Sequence, residues 1–148
     1  MSIDAWRARR GKETRGFHPA IDLVGFGLQQ TSERDWVAMN GEEPVHYRNL
    51  AWNDHELMEQ VVDAEKRVWN FNDRGLVPSN ILGILEETGG NVILARDNDG
   101  RELGMVITVG TIEGKLLLHM VGVVPEARYN NNVGLDLMLL QGALAQEK

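Results

Sequence analysis

Three apolar, partly β-branched runs separated by short turns lie in the second half of the chain and restrict it to a fold built on a β-sheet. Their bounds are Asn91–Arg96, Glu102–Ile112 and Lys115–Val124. The first turn is Asp97–Gly100, whose Asn, Asp and Gly residues tolerate positive φ, and Glu113–Gly114 turns the chain back a second time. The sequence therefore predicts three consecutive strands, of which the third is the most apolar.

Helical patterns flank these strands on both sides. Val45–Leu50 is predicted as a strand, and the helical spacing of apolar residues after it predicts a helix over 54–69. Ser79 can cap a shorter helix that ends before Gly89–Gly90. A final helix carries an apolar stripe made of Val133, Leu137, Leu140 and Leu144. The expected order is β-α-α-β-β-β-α, an α/β fold of the α+β kind with a mixed sheet.

Composition changes near residue 44, where Gly41–Pro44 separates two unlike segments. Residues 1–44 hold 6 basic and 7 acidic side chains and show no sustained strand or helix periodicity. Residues 45–148 hold 9 basic and 15 acidic side chains and contain the regular patterns. We therefore expect 1–44 to be a partly disordered N-terminal extension and 45–148 to be the folded domain.

The extension admits more than one interpretation. The arginine cluster Arg7–Arg15 beside Trp6 is compatible with an arm that binds nucleic acid or a membrane surface, but a cluster this short favours a solvated tail. Val24–Gly27 admits the further interpretation of a strand added to the domain. The sequence alone does not decide between these.

Charge and composition exclude several classes of protein. The chain carries 15 Lys and Arg against 22 Asp and Glu, a net charge of -7, which disfavours nucleic-acid binding. It has no cysteine, which excludes disulfides, thiolate-bound metals and a cysteine nucleophile. Asp97–Gly100 lacks the later glutamate of a calcium loop, and neither His46 nor His55 has further ligands at metal-binding spacing, so we expect no metal. With no apolar run near the ~20 residues that cross a bilayer and no secretory signal, we expect a cytoplasmic protein without membrane contact.

The junction between the last strand and the last helix is the strongest candidate for a functional site. The strand runs into the polar loop Pro125–Asn131, and the helix opens with a glycine, Gly134. Such a loop can turn successive backbone N–H groups towards one point, and the unpaired N–H groups of a helix start attract a diphosphate. Arg128 adds a cation. An ordinary asparagine-capped helix explains the same residues, so both interpretations stay open.

This junction resembles a known family. Val123–Arg128, a short loop and a glycine at the helix start are similar to the acetyl-CoA-binding segment of the GNAT N-acyltransferases, commonly Arg/Gln-x-x-Gly-x-Gly/Ala. Arg67–Pro78 resembles a Val-Trp-Gly-Phe-x-Asp-x-x-x-Val-Pro stretch of one GNAT subgroup, and His119–Met120 before Gly-Val-x-Pro-Glu resembles the same subgroup. The β-α-α-β-β-β order also matches that fold. The resemblance covers about residues 45–148 and corresponds to the N-terminal part of the GNAT domain.

The resemblance implies an acyl-CoA-dependent N-acetyltransferase, in which a deprotonated amine of a small molecule or peptide attacks the thioester of acetyl-CoA directly. The strand would pair with the pantetheine arm, and the loop and helix start would hold the diphosphate. The implied cofactor-binding residues are Val121, Gly122, Val123, Arg128, Tyr129, Asn130, Asn131, Asn132, Val133 and Gly134. His119 on the same strand is the candidate catalytic base, with a structural histidine as the alternative.

The chain departs from the family pattern in two places. Five residues rather than four separate Arg128 from Gly134, and Asn132 replaces the first motif glycine, although asparagine tolerates left-handed geometry. A GNAT domain also continues beyond this helix with a further strand and helix, so we expect a domain truncated after the acetyl-CoA-binding helix. The open sheet edge predicts either a homodimer that completes the sheet or an inactive GNAT-fold fragment that acts as a binding or interaction module.

Overall fold

Six strands and three α-helices make up the described part of this computed structural model, which covers residues 20–39, 41, 43–69, 77–87, 89–110, 116–128 and 132–147. The strands are β1 (Leu28–Gln30), β2 (Asp35–Ala38), β3 (Val45–Asn49), β4 (Asn91–Arg96), β5 (Glu102–Gly110) and β6 (Leu116–Val123). The helices are α1 (His55–Trp69), α2 (Ser79–Glu87) and α3 (Val133–Gln146), and a 3₁₀ turn spans Pro125–Ala127.

The described strands pair in chain order, each antiparallel to its neighbour. From β3 onward the elements follow the predicted β-α-α-β-β-β-α order, which confirms the predicted mixture of helices and sheet. β4 has the predicted bounds, and β5 and β6 lie within theirs. The turn between β4 and β5 is also as predicted, since Gly100 has a φ of 81° and donates its N–H to Asp97 O at 3.1 Å.

Two strands precede the predicted order. β1 and β2 lie in the segment expected to be an extension, and they continue the same sheet outward from β3. Val24–Gly27 forms a turn rather than the strand considered for it, with Gly27 at a φ of 81°, and the added strand begins one residue later. Just before that turn, Ile21 N–H donates to Gln146 Oε1 at 3.0 Å, which joins this segment to α3. Residues 1–19, with the arginine cluster, lie outside the described residues.

Alternation along the strands sends side chains to two apolar clusters, one on each face of the sheet. On β4, Val92 and Leu94 enter the cluster covered by α1 and α2, whereas Ile93 and Ala95 enter the cluster covered by α3. The first cluster comprises Leu50, Met58, Val61, Ala64, Leu82, Val92, Leu94, Met105 and Ile107. The second includes the α3 stripe Val133, Leu137 and Leu140, as predicted, with Leu144 packed against it. The sheet is therefore buried between two helical layers.

Helix α1 starts directly after Asp54, which also ties it to β3. Asp54 O accepts the N–H of Met58 at 3.0 Å, so Asp54 occupies the cap position before the first helical residue. Its carboxylate accepts the Ala51 N–H at 2.8 Å and Arg48 Nε at 3.1 Å.

Two further properties concern the described part of the chain alone. None of its helices combines the length and apolar character that crossing a membrane would need. No set of three or more histidine and acidic side chains within it is grouped closely enough to hold a metal ion.

Candidate functional site

Strand β6 is the last strand of the sheet among the described residues, so one of its edges is unpaired there. Val124 N–H, just after the strand, donates to Leu103 O at 2.8 Å. Because hydrogen-bonded positions alternate in an antiparallel pair, Gly122 also directs its N–H and C=O at β5. Val121 and Val123 therefore direct their backbone groups at the free edge, where an extended ligand can pair as a strand does.

A β-bulge interrupts the same strand at the candidate base. Ile107 pairs with Met120 and Thr108 pairs with Leu118, so His119 is the extra residue on β6. Bulges bend a strand and re-aim side chains, and they are common next to active sites. The backbone of His119 is described, whereas its side chain lies outside the described part, so its role as a base stays a prediction.

Gly122 on β6 lies against the end of α1. A β-carbon at Gly122 would lie 2.8 Å from Val68 Cγ1 and 2.9 Å from Trp69 Cη2. Both side chains belong to the last turn of α1. The glycine thus allows the end of α1 to approach the strand that carries the candidate site.

Replacing Gly122 by alanine should therefore destabilise the protein by about 1–3 kcal/mol, since two side chains of α1 must move to admit a methyl group. Thermal unfolding measures this. Gly134→Ala is the matched control, because its β-carbon would meet Val123 Cγ2 at an ordinary 3.4 Å and alanine favours a helix. Equal melting temperatures for Gly122→Ala and the wild type would contradict the packing described here.

The first turn of α3 lies beside the end of β6. A β-carbon at Gly134 would lie 3.4 Å from Val123 Cγ2, so the start of the helix packs on the side chain of Val123. Asn132 caps the helix through its backbone, its O accepting the Asp136 N–H at 2.8 Å, while its side chain makes no capping hydrogen bond. The N–H groups of residues 133–135 have no partner within the helix, as at any helix start. The positive end of the helix dipole therefore lies on the Val123 side of β6, at the end of the strand.

Arg128 follows the 3₁₀ turn and bonds to the ends of β6 and α1. Its Nε donates to Val123 O at 2.9 Å, and its Nη2 donates to Val68 O at 3.2 Å. The guanidinium therefore spans from the end of β6 to the end of α1. The remaining predicted loop residues, Tyr129, Asn130 and Asn131, lie outside the described residues.

A buried polar pair lies beneath the first turn of α3. Tyr47 on β3 donates its hydroxyl to Asp136 Oδ2 at 2.8 Å, and Asp136 is only 4% exposed. Burial raises the pKa of the Asp136 carboxyl, and the bond from Tyr47 opposes that rise. Burial and the nearby carboxylate also raise the pKa of the Tyr47 hydroxyl, so Tyr47 stays protonated and serves as a donor.

Glu65 is a second buried carboxyl, on the sheet-facing side of α1. Its Oε1 accepts the Val77 N–H at 2.9 Å, and its Oε2 is buried without a hydrogen-bond partner among the described residues. Burial raises the pKa of this carboxyl, and the Val77 bond opposes the rise. The sequence contained a signal for it, because Glu65 lies four residues after Val61 and three before Val68 in the apolar stripe.

This burial predicts a pH-dependent stability. A carboxyl whose folded pKa is raised contributes stability below its unfolded pKa and loses it as pH rises through the folded pKa. Glu65→Gln keeps the acceptor for Val77, so it should match the wild type near pH 4 and exceed it by about 1–2 kcal/mol at pH 8. Denaturant unfolding at both pH values measures the difference. Glu59→Gln, on the exposed side of the same helix, should show no such trend, and a trend shared by both variants would refute the assignment.

A surface cleft of about 330 Å³ is lined by His55, Glu56, Glu59 and Ser79. It lies where α1 and α2 begin, whereas Gly122 meets the last turn of α1. At 1.5 Å per residue, the 15-residue helix separates the two places by about 20 Å. The cleft is therefore separate from the place where the end of β6 meets the start of α3, which we call the β6–α3 corner.

Comparison with solved structures identifies the fold. The chain is similar to an aminoglycoside acetyltransferase from an uncultured soil metagenomic sample, solved in complex with sisomicin, with 16% sequence identity, 70% of each chain covered and a TM-score of 0.58. The same enzyme in complex with trehalose gives 16% identity, the same coverage and a TM-score of 0.57. No protein-family model matches the sequence, and no curated protein is significantly similar to it. The chain therefore has a GNAT-like fold, as the resemblance implied, and this likeness concerns the fold alone.

Proposed function

We propose that this chain binds acetyl-CoA at the corner between β6 and α3 and transfers the acetyl group to an amine. The observation that carries the proposal is the packing of the first turn of α3 on Val123 at the end of β6, where a β-carbon at Gly134 would lie 3.4 Å from Val123 Cγ2. The helix start and the free strand edge suit the two parts of the ligand, a diphosphate and an amide-containing arm. The GNAT-like fold supports the same assignment.

The backbone groups of the β6–α3 corner match the chemical groups of acetyl-CoA. Val121 offers an N–H and a C=O at the free edge, which can pair with the amides of the pantetheine arm. The N–H groups of residues 133–135 suit the diphosphate, and the side chain of Asn132 does not occupy them as a cap. The proposed loop Tyr129–Asn131 would complete this cradle.

The proposed reaction is a direct transfer. The amine nitrogen, having lost a proton, attacks the thioester carbonyl carbon; the carbon–sulfur bond then breaks and the thiol leaves with a proton. A backbone N–H at the free edge of β6 would donate to the carbonyl oxygen as negative charge develops on it. His119 is the proposed base for the amine, directly or through water.

An alternative is a GNAT-fold module that binds its ligand without turnover. The open edge of β6 favours it, because nothing in the described residues covers that edge. A second copy paired along the part of β6 before Val121, which leaves the groups proposed for the ligand free, is the proposed way of completing the sheet in either case. The two functions differ in whether a thiol is released.

Titration calorimetry with acetyl-CoA tests the proposal, and a thiol-release assay with a panel of amines separates the two functions. The panel should include short peptides and sisomicin, because the soil acetyltransferase was solved with sisomicin bound. We expect micromolar binding, with thiol release from at least one amine. Binding without release would favour the module, and no heat at millimolar acetyl-CoA would reject the transferase and leave an inactive interaction module as the alternative.

A further inference from the structure

The 3₁₀ turn after β6 is fastened to the end of α1 by two independent sets of contacts. The first is the guanidinium of Arg128, whose donors reach Val123 O at 2.9 Å and Val68 O at 3.2 Å. Both acceptors are main-chain carbonyls, one at the end of β6 and one in the last turn of α1. Arg128 thus uses two of its donors within the protein.

The second set of contacts is a group of charged side chains. Glu126 in the 3₁₀ turn forms an ion pair with Arg67 in the last turn of α1, and Arg101 lies 3.2 Å from the same carboxylate. Arg67 also donates to Glu102 Oε1 and to Glu102 O, each at 3.1 Å. The turn, the end of α1 and the start of β5 are therefore held together beside the candidate site.

The bond from Arg128 to Val123 O reduces the number of backbone groups that the free edge of β6 leaves for a ligand. Without it, Val123 would present both its N–H and its C=O at that edge. With it, the peptide group after Val123 is held at both ends, because Val124 N–H donates to Leu103 O at 2.8 Å. The groups left for an extended ligand are the N–H and C=O of Val121 and the N–H of Val123.

We propose that Arg128 is a positioning residue that ends the free edge of β6 at Val123 N–H and so sets the register of the pantetheine arm, rather than a ligand of the diphosphate. It acts through the carbonyls of Val123 and Val68, which also couples the end of α1 to the cofactor corner. The inference rests on the proposed binding of acetyl-CoA and gives Arg128 a specific role within it.

Acetyl-pantetheine distinguishes the two roles, because it has the thioester and the amide arm but no diphosphate. If Arg128 sets the register of the arm, Arg128→Gln should weaken the binding of acetyl-CoA and of acetyl-pantetheine by the same factor, roughly tenfold. If Arg128 instead bound the diphosphate, its replacement would weaken the binding of acetyl-CoA alone, and the contribution of Arg128 to affinity would fall with added salt. Dissociation constants from amide NMR titrations at two salt concentrations decide between these outcomes.

Arg101→Gln is the matched control. This substitution removes an arginine of the same charge beside the same turn. The Arg101 side chain is 63% exposed and donates to Glu126 rather than to a main-chain carbonyl. We expect it to leave both dissociation constants unchanged. An equal loss from Arg101→Gln and Arg128→Gln would show that only the local charge matters, which would overturn the proposal.

A measurement without ligand separates this inference from the proposed function. In the free protein, Arg128→Gln should speed amide hydrogen exchange at residue 124 and in the last turn of α1, whereas Arg101→Gln should not. Exchange equal to wild type at both places would overturn the positioning role whatever the chain binds. If the wild type bound neither ligand while this exchange difference was present, the proposed function would fail and the link between β6 and α1 would stand.

Discussion

Replacing Gly134 by aspartate is expected to weaken acetyl-CoA binding roughly 100-fold while leaving the fold as stable as before. Gly134 lies in the first turn of α3, where a carboxylate favours a helix. A β-carbon fits there, because its nearest contact is Val123 Cγ2 at 3.4 Å. The new carboxylate would accept the N–H groups proposed for the diphosphate and repel the ligand's charge. Affinity for acetyl-CoA should thus fall while the stability of the fold is kept.

Gly134→Asn is the control for shape, since asparagine matches aspartate in size without its charge. Its affinity for acetyl-CoA should lie much closer to that of the wild type, and the gap between the two variants should narrow as salt is added. Calorimetry at two salt concentrations, together with a melting curve for each variant, makes the comparison. Equal affinities for the aspartate and asparagine variants would place the diphosphate elsewhere.

The second large effect concerns stability. Tyr47→Phe should destabilise the protein by about 2–3 kcal/mol at neutral pH, because it leaves the buried Asp136 carboxyl without its donor. Burial already raises the pKa of Asp136 and Tyr47 opposes that rise, so the variant raises the pKa further. Stability tied to a raised pKa is present at low pH and lost as pH rises through the folded pKa. The penalty should therefore grow between pH 4 and pH 8.

Two companion variants separate the hydrogen bond from simple packing. Asp136→Asn keeps an oxygen acceptor for Tyr47 without the charge, so its stability relative to Tyr47→Phe should rise with pH. Replacing both partners, Tyr47→Phe with Asp136→Leu, should recover much of the loss, since no buried polar group is then left unpaired. Chemical unfolding at several pH values measures all three. A pH-independent penalty for Tyr47→Phe would contradict the role given to Asp136.

The middle and end of the fold were predictable from local sequence, and its beginning was not. β4 is a continuous apolar run followed by turn residues, and the apolar residues of the α3 stripe repeat at helix spacing. β1 has three residues and β2 has four, which is too short for such a pattern. β2 pairs with β3 and β1 pairs with β2, and these are tertiary contacts that local sequence does not encode.

The contacts that shape the candidate site were beyond sequence reasoning for a related reason. Arg128 reaches Val68, 60 residues away, and Tyr47 reaches Asp136, 89 residues away. Pattern analysis identified the strand and the helix start from neighbouring residues, but it had no means of pairing distant ones. Arg128 was accordingly predicted as a ligand of the diphosphate, and its bonds to two carbonyls became visible only in the fold.

The free edge of β6 links the fold to the proposed function. Val121 and Val123 present backbone groups there because Gly122 and Val124 use theirs on β5. The bulge at His119 shifts this pattern by one residue along the same strand. A ligand that pairs at the edge would therefore meet the proposed thioester donor and the proposed base on one strand. The role of His119 stays a prediction.

The most direct test of the account is an amide NMR titration of the wild-type protein with acetyl-CoA. The proposed site predicts the largest shifts, and slowed hydrogen exchange, at the N–H groups of Val121, Val123 and residues 133–135. Shifts confined to the cleft at His55 and Glu59, or no shifts at millimolar acetyl-CoA, would contradict binding at the β6–α3 corner.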